Sequence, residues 1–146
     1  MDIAQFSEKL NELFPELAKG FAGRQSDEIM KGKISLPQFL IMGYLYRSGE
    51  AAMSSISRYM ATTLSASTGM VDRMIKGGLV ERRREESDRR VVKIKLTEKG
   101  RRTIVKIFHQ RLTMIKEVFG RLSAEERKAY LDILYKVRDI LSSGKK

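Results

Sequence analysis

Residues 65–100 read SASTGMVDRMIKGGLVERRREESDRRVVKIKLTEKG, and this stretch decides the fold. Its first third has the apolar spacing of a short helix: Met70, Val71 and Met74 fall on one side, and Ser65, Ser67, Thr68, Asp72 and Arg73 are left for the other. Gly77-Gly78 stops that helix, because glycine enters the left-handed conformation of a helix end at little steric cost. The pattern then changes to period two. Val80 is followed by Arg82 and Arg84 on one face, and beyond a polar break Val92, Ile94 and Leu96 share a face opposite Val91, Lys93 and Lys95. Helix, turn and basic hairpin in this order describe a winged helix. The hairpin tip, Glu85 to Arg90, carries Arg89 and Arg90 into solvent, which suits an anionic partner.

The segments flanking this stretch fit the same architecture. Ser54 or Ser55 caps a helix bearing Ile56, Tyr59 and Met60, and Thr62-Thr63 makes the turn into the helix opening at Ser65. Ahead of it, Ser35 and Gln38 have capping-box spacing with Pro37 in the first turn. The body from Phe39 to Tyr46 is apolar nearly all round, so it is expected to be a buried support helix ending at Gly49. Nearer the N-terminus, Ile3, Phe6, Leu10, Leu13 and Leu17 recur at steps of three and four, with Pro15 expected to kink or divide the helix. That stripe packs either on the chain's own core or on a second copy. Gly20 to Gly32 reads as a connection with one helical turn around Ile29-Met30.

After the hairpin, Thr97 caps a long helix from about Glu98 to Leu122, striped by Ile104, Val105, Phe108, Leu112, Ile115, Phe119 and Leu122. Ser123 and Glu126 form a second capping box and open the last helix, whose stripe is Tyr130, Leu131, Leu134, Val137 and Leu141. The two helices form an antiparallel hairpin. With the first helix they supply more apolar stripe than one copy can cover, so a homodimer is expected.

Charge sharpens this picture. The 146 residues carry a formal net charge of +11, and the pI is near 10.0. Residues 1–31 hold four basic and six acidic side chains, whereas residues 81–102 hold ten basic and five acidic ones, so the hairpin is the densest basic part. There is no cysteine, and therefore no disulfide framework or thiol sensor. The single histidine, His109, has no histidine or cysteine partner for a metal, and a surface or interface role is expected for it. No phosphate-cradling glycine loop is present, and Glu125-Glu126 is explained by the helix dipole, so an enzyme has little support and no cofactor is expected. The N-terminus lacks a basic segment followed by an apolar run, which makes a cytoplasmic protein the expectation. The basic residues follow a strand-turn-strand pattern, unlike a membrane-surface helix.

Taken in order, Asp72-Arg73-Met74, Gly78-Leu79-Val80-Glu81-Arg82, Asp88-Arg89-Arg90 and Leu96-Thr97-Glu98-Lys99-Gly100 resemble the MarR family of transcription regulators, whose wing reads Asp-x-Arg followed by Leu-Thr-x-x-Gly. The motifs are dense from about Leu36 to Arg102; outside that window the resemblance rests on helical pattern and length. It implies a mainly α (α+β) fold in one domain. Residues 1–31 would be an N-terminal dimerisation helix and connection, residues 35–100 a winged helix-turn-helix with a two-stranded β wing, and residues 101–146 the C-terminal dimerisation helices.

The function implied is that of a dimeric, sequence-specific DNA-binding regulator, a repressor relieved by a small-molecule effector, reading an inverted-repeat operator. The different-class alternative is an architectural protein that binds nucleic acid without reading sequence. Candidate DNA contacts are Ser65, Ser67, Thr68, Arg73, Arg84, Arg89 and Arg90. Arg73 either touches phosphate or pairs with an acidic neighbour. Asp88 is expected to orient the Arg90 guanidinium, leaving Arg89 or Arg90 to enter the minor groove. Phe39, Met42, Tyr46 and Phe108 are either core or the lining of an effector cleft between the dimer helices and the DNA module. Gly69 departs from many relatives, which place an arginine there for DNA.

Overall fold

The computed structural model describes residues 1–24, 29 and 31–144. The elements are α1 (Ile3–Ala22), α2 (Leu36–Ser48), β1 (Glu50–Ala52), α3 (Met53–Tyr59), α4 (Leu64–Lys76), β2 (Val80–Arg84), β3 (Val92–Leu96), α5 (Glu98–Phe119) and α6 (Ala124–Ser143). They fall in two compact units, Met1–Arg111 and Leu112–Lys146. Of the helical turn expected around Ile29-Met30, Met30 lies outside the described residues.

The caps behave as their chemistry dictates. Ser35 and Gln38 close a reciprocal box on α2, Ser123 and Glu126 do so on α6, and Asp2 with Gln5 adds one on α1. Thr63 accepts from the Ala66 N–H to start α4. The α3 cap departs from expectation. That helix begins at Met53 behind Ala52, with no side-chain cap, so neither Ser54 nor Ser55 plays that part. The strand β1 runs straight into it, so the residues that precede the helix are committed to the ladder with β3.

The wing is the expected two-stranded hairpin of β2 and β3, and β1 adds a third strand to its sheet. The sheet order is β1-β3-β2, antiparallel throughout. Ala51 lies opposite Ile94, and Arg82 lies opposite Ile94 on the other side. The register puts Val80, Arg82 and Arg84 on the face shared with Leu96, Ile94 and Val92, while Glu81, Arg83, Lys93, Lys95 and Glu50 share the other. Three residues are too few for periodicity to reveal β1.

The core of the first unit is drawn from Phe39, Ile41, Met42 and Leu45 of α2, Ile56 of α3, Val71 and Met74 of α4, Val80 and Ile94 of the sheet, and Ile104 and Ile107 of α5. Each such side chain contributes about 1.5–3 kcal/mol by leaving water. The helix α2 is the expected support, buried on most sides. By contrast α1 and α6 bury none of their residues. The helix α1 runs as one element through Pro15, so of the kink or division expected there the division does not occur. Because it is exposed, the Asn11 carbonyl that loses its i+4 donor remains open to water. The long helix ends at Phe119, three residues short of its expected end.

The Leu-Thr-x-x-Gly motif has a structural explanation. Thr97 Oγ1 donates to the Gly78 carbonyl at 2.5 Å and accepts from the Gly100 N–H at 3.0 Å, so one hydroxyl caps α5 and holds the end of α4. The Thr97 N–H donates to the Leu79 carbonyl at 3.0 Å, and Lys99 Nζ donates to the Gly77 carbonyl at 2.9 Å. Gly100 is buried where a Cβ would collide with the Leu79 carbonyl. Gly78, at φ +72°, supplies the left-handed step that turns α4 into β2.

Candidate nucleic-acid interface

The exposed face of α4 and the tip of the β2–β3 hairpin carry the candidate contacts. On α4, Ser65 and Arg73 are exposed and Thr68 is half-buried. The Thr68 hydroxyl donates to the Leu64 carbonyl at 2.7 Å, which occupies its proton within the helix. Ser67 is corrected: it is 0% exposed and its oxygen has no hydrogen-bond partner among the described residues. It belongs to the inward stripe Ser67, Val71, Met74, whose i, i+4, i+7 spacing was present in the sequence but hidden by the polar residue type. Lys76, exposed one turn beyond Arg73, joins the candidates on the same periodicity.

The hairpin sorts its basic residues into two classes. Arg82 Nη2 lies 2.6 Å from Asp72 Oδ1, tying the wing to α4. Arg83 Nη2 lies 2.8 Å from Glu50 Oε1 and 3.6 Å from Glu85 Oε1. Lys93 Nζ lies 2.7 Å from Glu85 and 3.7 Å from Glu50, and Lys95 Nζ lies 3.1 Å from Glu81. Arg73, Arg84, Arg89 and Arg90 are exposed and enter no ion pair among the described residues. Of the two readings of Arg73, pairing with an acidic neighbour is therefore set aside; the neighbour Asp72 is taken by Arg82. Glu50, which fixes Arg83 across 33 residues, gave no local signal in the sequence.

The wing turn explains Asp88 differently from the expectation. Its Oδ1 accepts from the backbone N–H of Arg90 at 3.0 Å, and its carbonyl accepts from the Val91 N–H at 3.0 Å. Asp88 thus organises the chain at the tip by an Asx-type turn, and the Arg90 guanidinium is not its partner. Substituting Asp88 by alanine is expected to loosen the tip and weaken DNA binding about threefold to tenfold, the net worth of about one ordinary hydrogen bond. Affinity that rises or holds constant across a salt series refutes this role.

The Glu50–Arg83–Glu85–Lys93 cluster has a pH signature. The hydrogen bond from Arg83 holds the Glu50 carboxyl below its ordinary 4.5, and the hydrogen bond from Lys93 does the same for Glu85. Carboxyls with lowered folded pKa values contribute stability above the unfolded value and lose it as pH falls through the folded one. A urea midpoint that stays level at neutral pH and declines below about 4.5 is expected, with a shallower decline in Glu50→Gln/Glu85→Gln.

Of the effector-cleft candidates, Phe39 and Met42 are core residues at 5% and 0% exposure, which corrects their place in a cleft lining. Phe108 packs edge-on to Phe39 at 5.9 Å and to Tyr46 at 5.6 Å. Tyr46 also faces a recess of about 150 Å³ lined by Leu45, Leu96, Thr97 and Arg101, with the Arg101 guanidinium 5.3 Å from its ring centre. His109 is exposed. Among the described residues no group of three or more histidine, cysteine or acidic side chains is disposed to hold a metal, and no helix is long and apolar enough to cross a membrane.

Comparison with known proteins agrees with this geometry. A family model described as MarR family matches residues 34–92. The uncharacterized HTH-type transcriptional regulator YfiV of Bacillus subtilis (strain 168) is 33% identical over 119 residues, covering 82% of this chain and 74% of that protein. Among solved structures, a MarR family protein from Bacillus stearothermophilus is 28% identical with TM-score 0.77, covering 97% of this chain and 99% of that one. Streptococcus pneumoniae FabT, solved in complex with DNA, shares the fold with TM-score 0.81 at 24% identity, covering 99% of this chain and 100% of that one. With its winged sheet, its helix-turn-helix and its Thr97-to-Gly100 fastening, the chain belongs to the MarR family of helix-turn-helix transcriptional regulators.

Proposed function

We propose that two copies of this chain bind duplex DNA as a sequence-specific repressor, each placing α4 in the major groove and its wing tip in the adjoining minor groove. The observation that carries the reading is the sorting of the wing's charges. Arg82, Arg83, Lys93 and Lys95 are paired within the protein, while Arg84, Arg89 and Arg90 are exposed without ion pairs among the described residues. Guanidinium groups held out in this way suit the negative potential of a narrow minor groove. FabT, which shares the fold, was solved in complex with DNA, which supports DNA as the partner.

Pairing of copies is supported by the apolar side chains that α1 and α6 leave in water. Ile3 is 78% exposed on the first, and Ile140 and Leu141 are each 69% exposed on the second. A two-fold dimer presents two α4 helices about one helical turn apart, so the operator is an imperfect inverted repeat. A small molecule seated beside Tyr46 would release the repressor by altering the spacing of the two helices.

Selection of bound fragments from the host's genomic DNA, followed by competition with random duplex over a salt series, tests the reading. An enriched inverted repeat that resists random competitor is the expected result. Equal displacement by random duplex at every salt concentration establishes the architectural alternative instead, and a monomer in sedimentation with bound DNA refutes the paired arrangement.

A further inference from the structure

Gly69 lies in the interior of α4, where a glycine destabilises a helix by comparison with alanine. Three other glycines in the DNA-binding region, Gly49, Gly78 and Gly100, answer to a structural demand. Gly49 and Gly78 adopt φ of +82° and +72°, and Gly100 sits against the Leu79 carbonyl. Gly69 answers to neither: its φ is not left-handed, and a Cβ built there meets nothing within 4 Å. The isolated fold therefore gains nothing from the missing side chain, and the space belongs to whatever approaches α4 from outside.

What approaches is constrained by the neighbours. Gly69 follows Ser65 by one turn and precedes Arg73 by one turn, so it occupies the middle of the outward face. Ser65 and Ala66 are exposed on that face, the Thr68 hydroxyl proton is spent on Leu64, and the Asp72 carboxylate is held by Arg82. The first side chain able to reach a base edge with paired donors is Arg73. Bidentate reading of guanine by arginine, or of adenine by asparagine or glutamine, is thus unavailable over the N-terminal half of α4. Beside the single hydroxyl of Ser65, the chemistry left at Gly69 itself is close apolar contact, and the major-groove group that offers it is the thymine C5-methyl.

We propose that Gly69 is a specificity-determining residue: its bare backbone, beside the Ala66 methyl, seats against thymine methyl groups and selects thymine at that position of each half-site. This rests on the reading of α4 as the major-groove helix. Glycine is suited to the task because it lets helix backbone close on a ligand that any side chain would hold away.

The test uses the full-length protein and a random-sequence duplex pool. The wild type is expected to enrich half-sites with an invariant thymine facing residue 69. Deoxyuridine at that thymine, which removes only the methyl, weakens binding about fourfold, the worth of one buried methyl group. Gly69→Ala is expected to melt about 3 °C higher, as a better helix former, while binding the enriched duplex about tenfold more weakly because its Cβ occupies the approach. Gly69→Arg reselects guanine in place of thymine. Unchanged affinity on uracil substitution, or a Gly69→Ala protein that binds as tightly as the wild type, overturns the inference and leaves the regulator reading intact. A wild type that enriches no sequence at all overturns both.

Discussion

Replacing Arg89 and Arg90 together by alanine is expected to lower affinity for the operator about 100-fold or more at near-physiological salt, at about 1–3 kcal/mol for each lost guanidinium contact. Both side chains are exposed at the wing tip and neither is ion-paired among the described residues, so the loss falls on binding and not on folding. The melting temperature of the double variant should stay within about 2 °C of wild type, as expected for surface positions outside any network. The slope of log affinity against log salt should become shallower by about two if both groups displace counterions. Arg83→Ala provides the contrast. That guanidinium is already engaged by Glu50 at 2.8 Å, so its removal loosens the attachment of β1 to the wing and changes affinity far less. A double variant that binds as the wild type does, in gel shift or fluorescence anisotropy, removes the wing from the interface.

The second large effect concerns the fastening between α4 and α5. Gly100→Val is expected to destabilise the protein by about 3 kcal/mol or more, since a rigid β-branched side chain must displace either the Leu79 carbonyl or the first turn of α5. For a chain of this size that corresponds to a fall in melting temperature of about 10 °C. The Leu79 carbonyl also accepts from the Thr97 N–H, and the Thr97 hydroxyl holds Gly78, so the collision strikes the joint that sets the angle between α4 and the wing. Thr97→Val, which keeps the shape and removes the hydroxyl, should show a smaller loss, about 1–3 kcal/mol for the freed carbonyl and amide. Thermal unfolding followed by circular dichroism distinguishes the two. A Gly100→Val protein with wild-type stability contradicts the packing at this joint.

The membership of this chain in its family rests on features that lie close together in sequence. The helix starts at Ser35 and Ser123 were legible because a capping box is a contact between residues three apart. The hairpin was legible because Val80, Arg82 and Arg84 alternate with period two, and the observed register keeps that alternation. Thr97 and Gly100 could be quoted as a motif, but their reason could not be read. The carbonyls they serve or avoid, at Gly78 and Leu79, stand about twenty residues upstream.

The candidate site divides along the same line. That residues 81–102 are strongly basic is a property of the chain alone, and so is the outward placement of Ser65 and Arg73 on an amphipathic helix. Which basic groups are left for a partner was decided only in three dimensions. Arg82 is withdrawn by Asp72, ten residues away, and Arg83 by Glu50, 33 residues away. Strand β1 brings Glu50 there by pairing with β3, a strand more than forty residues later in the chain. Ser67 follows the inward i, i+4, i+7 spacing and not its polar type, and Asp88 organises the tip through a backbone partner that is invisible until the turn forms. The sequence by itself determined the helices and the wing, since helix caps and side-chain periodicities act over four residues or fewer; the tertiary structure decided the short strand β1 and which charges are satisfied and which are presented, since an ion pair depends on distance in space and charged groups far apart in the chain meet only when the sheet register brings them together.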